Sequence, residues 1–353
     1  MLSRDDSCDS LAGIARLARP GKAAIWALSL FAASLAAAAP GAIPPAMAQQ
    51  AASKPATPQV GGQAPGYFRL FVGRFEVTAL LDGTHPFPSD KVALGATSDQ
   101  VAAALKDAFL PLHYEGMINA FLVNMDGRLV LIDAGAGNLY GKDGGGLKRA
   151  ILAAGYAPEQ IDDVFITHLH EDHVGGLMLD GQPVFAKAII HIPRKDGEFW
   201  LDSRNAAGVN DLLKPFFPAV QKVVAPYQQS GRVLFFDAGA ALLPGLTPMA
   251  AAGHTPGHTA YLLEDGGQTM LLWGDTVHMA PVQFPDPKVA IRYDWNAAMA
   301  IAAREKLMAR AAAQGWLVAG AHISFPGIGH IRRKGAGSFE WAPLNYTLNR
   351  MQP

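Results

Sequence analysis

Cysteine is almost missing from this chain: Cys8 is the only one among 353 residues. That excludes a disulfide framework and a thiolate-based metal site. An excess of either charge is missing too, with 29 Lys and Arg against 30 Asp and Glu and no basic block or stripe. Nucleic acid is not the expected partner of such a chain, and a neutral small molecule fits it better. Internal repeats are lacking, and so is a Gly/Ser linker beyond residue 66. No Ser–His–Asp or Cys–His set stands out as a covalent nucleophile.

The N-terminal end reads as an address rather than as structure. Arg16, Arg19 and Lys22 precede an apolar run from Ala23 to Ala39, followed by Pro40, Pro44, Pro45 and Ala46-Met47-Ala48. A basic region, an apolar region and an A-x-A site in that order make a secretory signal peptide. The alternative is a single membrane anchor, but the run falls short of the ~20 residues a spanning helix needs. Residues 1–48 are therefore expected to be removed, Cys8 with them. With no adjacent arginine pair, the Sec route is favoured. This leader holds four basic and three acidic residues, so the mature net charge is −2. Residues 49–66, rich in Ala, Gln, Pro and Gly, read as a flexible mature N-terminus. Residues 67–353 read as one exported domain with no stable membrane anchor.

The most informative stretch is Thr167-His168-Leu169-His170-Glu171-Asp172-His173-Val174-Gly175-Gly176. It follows Val164-Phe165-Ile166, a β-branched and aromatic run that predicts a strand. Side chains alternate every two residues as the strand ends, so His168 and His170 share one side. Asp172 and His173 are adjacent and must diverge. Donors that start together and then split suit two metal ions a few Å apart. Imidazole plus carboxylate suits zinc, iron or manganese. More candidates follow at the ends of later apolar runs: Gly253-His254-Thr255-Pro256-Gly257-His258, then Asp275 after Thr269–Trp273, then His322 after Trp316–Ala321. Asp133 ends another such run, Leu129–Ile132. Loops at strand ends, held by a rigid sheet, are where sites are built. Strands come in pairs with helices between them, which predicts two mixed sheets with helices outside. Asp82-Gly83 reads as the turn closing the first strand region.

In order and spacing, HxHxDH, GHTPGH, GD and a late histidine resemble the metallo-β-lactamase superfamily. The resemblance implies an α/β fold, a four-layer αβ/βα sandwich, with metals at one edge between the sheets. It implies one ion on His168, His170 and His254, a second on Asp172, His173 and His322, and Asp275 bridging both. His258 would prop its turn and Asp133 would steady the HxHxDH loop, while His330 reads as structural. Two divalent ions follow, zinc first, with manganese, iron or cobalt as alternatives. Two bridged ions share a hydroxide at neutral pH, because they lower the pKa of bound water from ~16 toward ~7. Metal-assisted hydrolysis is the expected reaction.

Departures sort the relatives. His170 stands where oxygen-reducing diiron members carry glutamate. No cysteine replaces Asp275, as it does in many zinc β-lactamases. Within the superfamily, Ala64–Tyr67, Thr78–Leu80, His173–Met178 and Ala321–Ile331 are similar to methyl parathion hydrolase and its lactone- and aryl-ester-cleaving relatives. That similarity implies substrate contacts at Tyr140, Trp200, Phe216, Val92, Ile291 and Tyr293, and a homodimer. Val92 stands where the organophosphate-cleaving pattern has arginine. His278, three residues past Asp275, stands where it has an apolar residue and the lactonase branch has a hydrogen-bonding tyrosine. A polar group there suits a carbonyl oxyanion. The expectation is therefore lactone or aryl-ester hydrolysis, with Asp275 and His278 as catalytic residues. Phosphotriester hydrolysis is the alternative. A metal-binding protein without turnover is a third reading, from another class.

Overall fold

Alternation along the strands builds two sheets that share one core. In the computed structural model, which describes residues 57–347, the first sheet has seven strands: β1 (Tyr67–Val72), β2 (Phe75–Pro88), β3 (His113–Met125), β4 (Arg128–Ile132), β5 (Asp163–Phe165), β6 (Ile189–Pro193) and β7 (Val233–Phe236), adjacent in that order. β1 to β4 form an antiparallel meander, and β4 to β7 run parallel. The second sheet has six: β8 (Leu246–Ala250), β9 (Thr259–Asp265), β10 (Gln268–Leu272), β11 (Leu317–Ala319), β12 (Ile328–Gly335) and β13 (Ser338–Pro343). Its one parallel pair is β10–β11. The leader expected over 1–48, and Cys8 within it, lie outside the described residues.

Period two decides which side chain enters which layer. Phe121, Val123, Val130, Ile132 and Phe165 of the first sheet meet Tyr261, Leu263, Met270, Leu272 and Ala319 of the second. Their neighbours Leu122, Leu129, Leu131 and Val164 point the other way, onto helices α2 (Leu147–Ala153) and α4 (Phe216–Gln229). Leu262, Leu271 and Val318 pack outward on Leu307, Met308 and Ala311 of α5 (Ala297–Gln314). Two further helices are α1 (Ser98–Asp107), packed on Tyr114, Met279 and Ile291, and α3 (Arg194–Trp200). The result is helix, sheet, sheet, helix, the four layers expected. Each of the large side chains fully buried this way contributes about 1.5–3 kcal/mol.

Two local features differ from the sequence expectation. Asp82-Gly83 does not end a strand. It lies inside β2 as a register shift between Leu81 and Gly83, and the reversal falls earlier, at Gly73-Arg74. The carboxylate of Asp82 accepts from the backbone N–H of Ala136, Gly137, Gly145 and Leu147, so it clamps a distant loop rather than its own turn. α4 was not apparent from the sequence because Pro218 and Pro226 interrupt it. Its buried Val220, Val223, Val224 and Tyr227 nevertheless keep helical spacing, and burial overrides the prolines. Among the described residues, no helix is long and apolar enough to cross a membrane.

Candidate metal centre

The HxHxDH loop leaves the C-terminal end of β5 and is pinned from β4. Asp133, in a left-handed conformation at φ 61°, accepts hydrogen bonds from Thr167 N (2.7 Å), Thr167 Oγ1 (2.8 Å) and His173 Nδ1 (2.8 Å). One carboxylate therefore fixes both the start of the loop and the ring that ends it. That matches the steadying role the sequence assigns to Asp133. The following glycines allow a close approach: a Cβ on Gly176 would stand 1.9 Å from Ala134 O, and one on Gly175 2.0 Å from Ala136 O.

The second sheet brings the GHTPGH turn against this loop. Thr259 N donates to Thr167 O (2.9 Å), and buried Asp196 spans the two segments, accepting from Leu169 N (2.7 Å) and Gly257 N (2.5 Å). Burial pushes the Asp196 carboxyl up to about 6, against the hydrogen bonds it accepts. His258 does not face the cluster as a ligand. Its Nδ1 donates to Ala251 O (3.0 Å) and its Nε2 accepts from Asp275 N (3.1 Å), so both nitrogens are occupied by backbone. Burial, with the charge of His254 nearby, holds its pKa down at about 3. Neither Asp196 nor Asp294 carried a sequence signal. Asp294 accepts from His254 Nδ1 (2.9 Å) and Ile291 N (3.0 Å) and so aims His254 Nε2 inward.

Six histidines and two aspartates then converge. Asp275 Oδ2 lies 2.9 Å from His278 Nε2, 3.1 Å from His322 Nε2, 3.2 Å from His254 Nε2 and 3.6 Å from His168 Nε2. Its Oδ1 lies 3.0 Å from His173 Nε2. Burial opposes the Asp275 charge, but His173, His322, His278 and His168 together hold its carboxyl well below the usual range. His322 Nε2 is also 3.4 Å from Asp172 Oδ2, while Met117 O holds its Nδ1 at 2.7 Å. Three sets of donor atoms each lie within 4.8 Å of one another: His168, His170, His254 and Asp275; Asp172, His173 and His322; and Asp275, His278 and His322.

The donor chemistry fits metal ions. His168 Nε2, His173 Nε2 and Asp275 Oδ1 are buried without a hydrogen-bond partner. Unpaired buried polar atoms are costly and rare in folded proteins, and a cluster of them calls for a ligand. His170 Nδ1 and His254 Nε2 stand 3.0 Å apart, near the roughly 3.4 Å separating two nitrogens on one tetrahedral zinc. Every histidine the sequence singles out for metal is in the cluster, and so are both aspartates.

The cluster floors a cavity of about 370 Å³. Tyr140, Phe216, Tyr293 and His278 line it, as the sequence predicts. Trp200, Val92 and Ile291 do not. Trp200 is fully buried behind the site, its ring 5.0 Å from that of His170 and 4.6 Å from that of Phe217. It backs the ligand rather than walling the substrate. Val92 and Ile291 are turned into the core, Ile291 among Val101, Leu105 and Met279. Sequence reasoning missed a whole wall: His85, Pro86, Phe87, Pro88, His113, Met117 and Ile118, which come from the far ends of β2 and β3. That stretch looks like a polar, proline-broken loop in sequence, and only strand pairing brings it over the cluster. The ring of His278 stacks on His322 (4.9 Å) and lies near Phe87 (6.5 Å).

A four-layer sandwich with clustered histidines and aspartates at one edge between its sheets defines the class of metal-dependent hydrolases. The family model of the metallo-beta-lactamase superfamily matches residues 113–310, and the chain belongs to that superfamily. A hydrolase of the beta lactamase superfamily, AbOPH, is 35% identical, covering 81% of this chain and all of that one, with a TM-score of 0.77. AidC, a dizinc quorum-quenching lactonase solved with its product N-hexnoyl-L-homoserine, is 27% identical over 80% of this chain and 99% of its own, with a TM-score of 0.75. Among curated proteins, no match was found.

Proposed function

We propose that the protein is a dinuclear metal hydrolase of lactones and aryl esters. The observation that carries this reading is the cavity: an ion-binding floor beneath walls that hold no lysine or arginine. A neutral substrate enters such a pocket without leaving a charge unpaired, whereas a polyanion does not. The likeness to a dizinc lactonase supports the choice of a cyclic or aryl ester. His168, His170 and His254 would hold one ion, Asp172, His173 and His322 the other, and Asp275 both. When bound, such ions activate water and polarise a carbonyl.

The chain's own residues do the rest. Asp133, Asp294 and Met117 O each take the inner N–H of a ligand histidine, which leaves the outer nitrogen's lone pair for a metal. Phe87, Met117, Ile118, Leu212 and Phe216 cover the apolar part of the substrate and exclude water. His278 sits where its imidazole reaches a carbonyl oxygen bound over Asp275. Export completes the reading, with a mature chain beginning at or near Gln49, which N-terminal sequencing of exported protein tests. The function is tested on zinc-loaded protein with dihydrocoumarin, p-nitrophenyl esters, an acyl-homoserine lactone, a β-lactam and methyl parathion. Lactone or aryl-ester turnover that a chelator abolishes and zinc restores is expected. Full metal loading with no turnover of any ester would make it a binding protein, and turnover of methyl parathion alone would make it a phosphotriesterase.

A further inference from the structure

One wall of the cavity carries a histidine–aspartate pair outside the metal cluster. Its construction is legible from Asp82 onward. The Asp82 carboxylate clamps both ends of the loop 136–147, as described above. Gly83 then lets that loop lie on the strand: a Cβ there would stand 1.9 Å from Asp143 O. Two residues further along β2, on the same face, His85 meets the loop, and its Nδ1 stands 3.0 Å from Asp143 Oδ2. The ring of His85 packs at 4.9 Å on Tyr140, and both line the cavity. With Nδ1–H given to the carboxylate, Nε2 is the edge that takes up or releases a proton, and it has no protein partner among the described residues.

Most of the other ring nitrogens and carboxylates around the cavity are committed elsewhere. His170, His254, His322, Asp172 and Asp275 belong to the ion set, and His278 turns Nε2 to Asp275. His113 is paired through Nε2 with Asp90, a carboxylate already shared with Lys91. Tyr140, packed on His85, lines the same cavity as Asp172 and Asp275 of the cluster.

We infer that His85, oriented by Asp143, is the acid that protonates the departing oxygen. This rests on the ester or lactone hydrolysis proposed above. In that reaction, water's oxygen bonds to the carbonyl carbon and gives one proton to solvent. The bond from that carbon to the leaving oxygen breaks, with its electron pair on the oxygen. The leaving oxygen takes the proton from Nε2, and Nε2 is reprotonated from solvent. A neutral alcohol or phenol departs instead of an anion trapped between apolar walls. Histidine suits this role because an imidazole within hydrogen-bond reach can pass a proton to a departing group.

The test is a series of aryl esters with one acyl group, from p-nitrophenyl to unsubstituted phenyl, on zinc-loaded wild type, His85→Phe and Asp143→Asn. Phenylalanine keeps an aromatic ring against Tyr140 and removes both ring nitrogens, the proton-carrying Nε2 and the contact to Asp143. His85→Phe should lose about 10²-fold in kcat/KM on the phenyl ester, and at most a tenth of that on the p-nitrophenyl ester, whose phenolate needs no acid. The dependence on leaving-group acidity should steepen accordingly. Asp143→Asn should steepen it in the same direction by less, and metal content should equal that of wild type in both. A wild-type slope in His85→Phe, or equal losses along the series, overturns the inference. A metal-loaded wild type that hydrolyses none of the series overturns this inference, and one that hydrolyses no lactone either overturns the proposed function as well.

Discussion

At the scale of single residues, the site is a set of imidazoles whose inner nitrogens are spoken for. Asp133 holds His173, Asp294 holds His254 and Met117 O holds His322. Each such contact fixes a tautomer and raises ligand basicity. Asp294→Asn should therefore weaken metal binding by about 10–100-fold, read by competition with a chelator. Equal affinity would show that His254 is oriented by packing alone. His258 behaves differently, since it bonds backbone through both nitrogens and stays neutral in the fold. Its pKa is depressed to about 3 from 6.5. The unfolded chain thus binds the proton first as pH falls. The stability His258 gives is fully present above pH 6.5 and is lost progressively as pH falls toward 3. His258→Gln removes that titration. In metal-free protein, the stability difference between wild type and His258→Gln should narrow as pH drops from 7 to 4. Denaturant unfolding at each pH measures it, and a constant difference would contradict the tautomer assigned here.

At the scale of elements, α5 anchors the site from outside. Its buried Arg304 donates to Thr276 O (2.7 Å), Pro287 O (2.8 Å) and Val289 O (2.9 Å), and lies 4.0 Å from Asp294. It therefore joins the Asp275 loop to the segment that orients His254. Arg304→Met leaves three carbonyls and a buried carboxylate without their cation, which should cost about 3–5 kcal/mol. Arg304→Lys should recover little of it, because a point charge cannot replace a fork of donors. Urea unfolding of both variants checks this, and a loss under 1 kcal/mol would contradict it. Arg304 also marks the limit of what the sequence discloses. The metal-cluster residues sit in dense local motifs at strand ends, so spacing and resemblance exposed them. Asp82, Asp196, Asp294 and Arg304 act on backbone groups far along the chain, and no local pattern announces such a partner. Trp200, Val92 and Ile291 show the converse. A match to a family's pattern of contacts does not say which way a side chain turns.

At the scale of the molecule, two sheets share one core and place their loops along one edge. The parallel pairs β4–β5 and β10–β11 explain why Asp133 and the HxHxDH loop, and then Asp275 and His322, emerge at the same ends. Tyr261 Oη donates to Ile166 O (2.6 Å), and Thr259 N to Thr167 O, so the sheets are bonded together beneath the cluster. Two mixed sheets with helices outside were legible in the order of strands and helices, and the resemblance implied their four layers. The cavity wall was not, because it depends on how far β2 and β3 run past the core before they end. The most direct test of the central claim is lactone turnover followed against ions bound per chain, as zinc is returned to metal-free protein. Turnover should be absent with no ion and maximal at two. Saturation at one ion, or turnover that persists in metal-free protein, would contradict a dinuclear hydrolase.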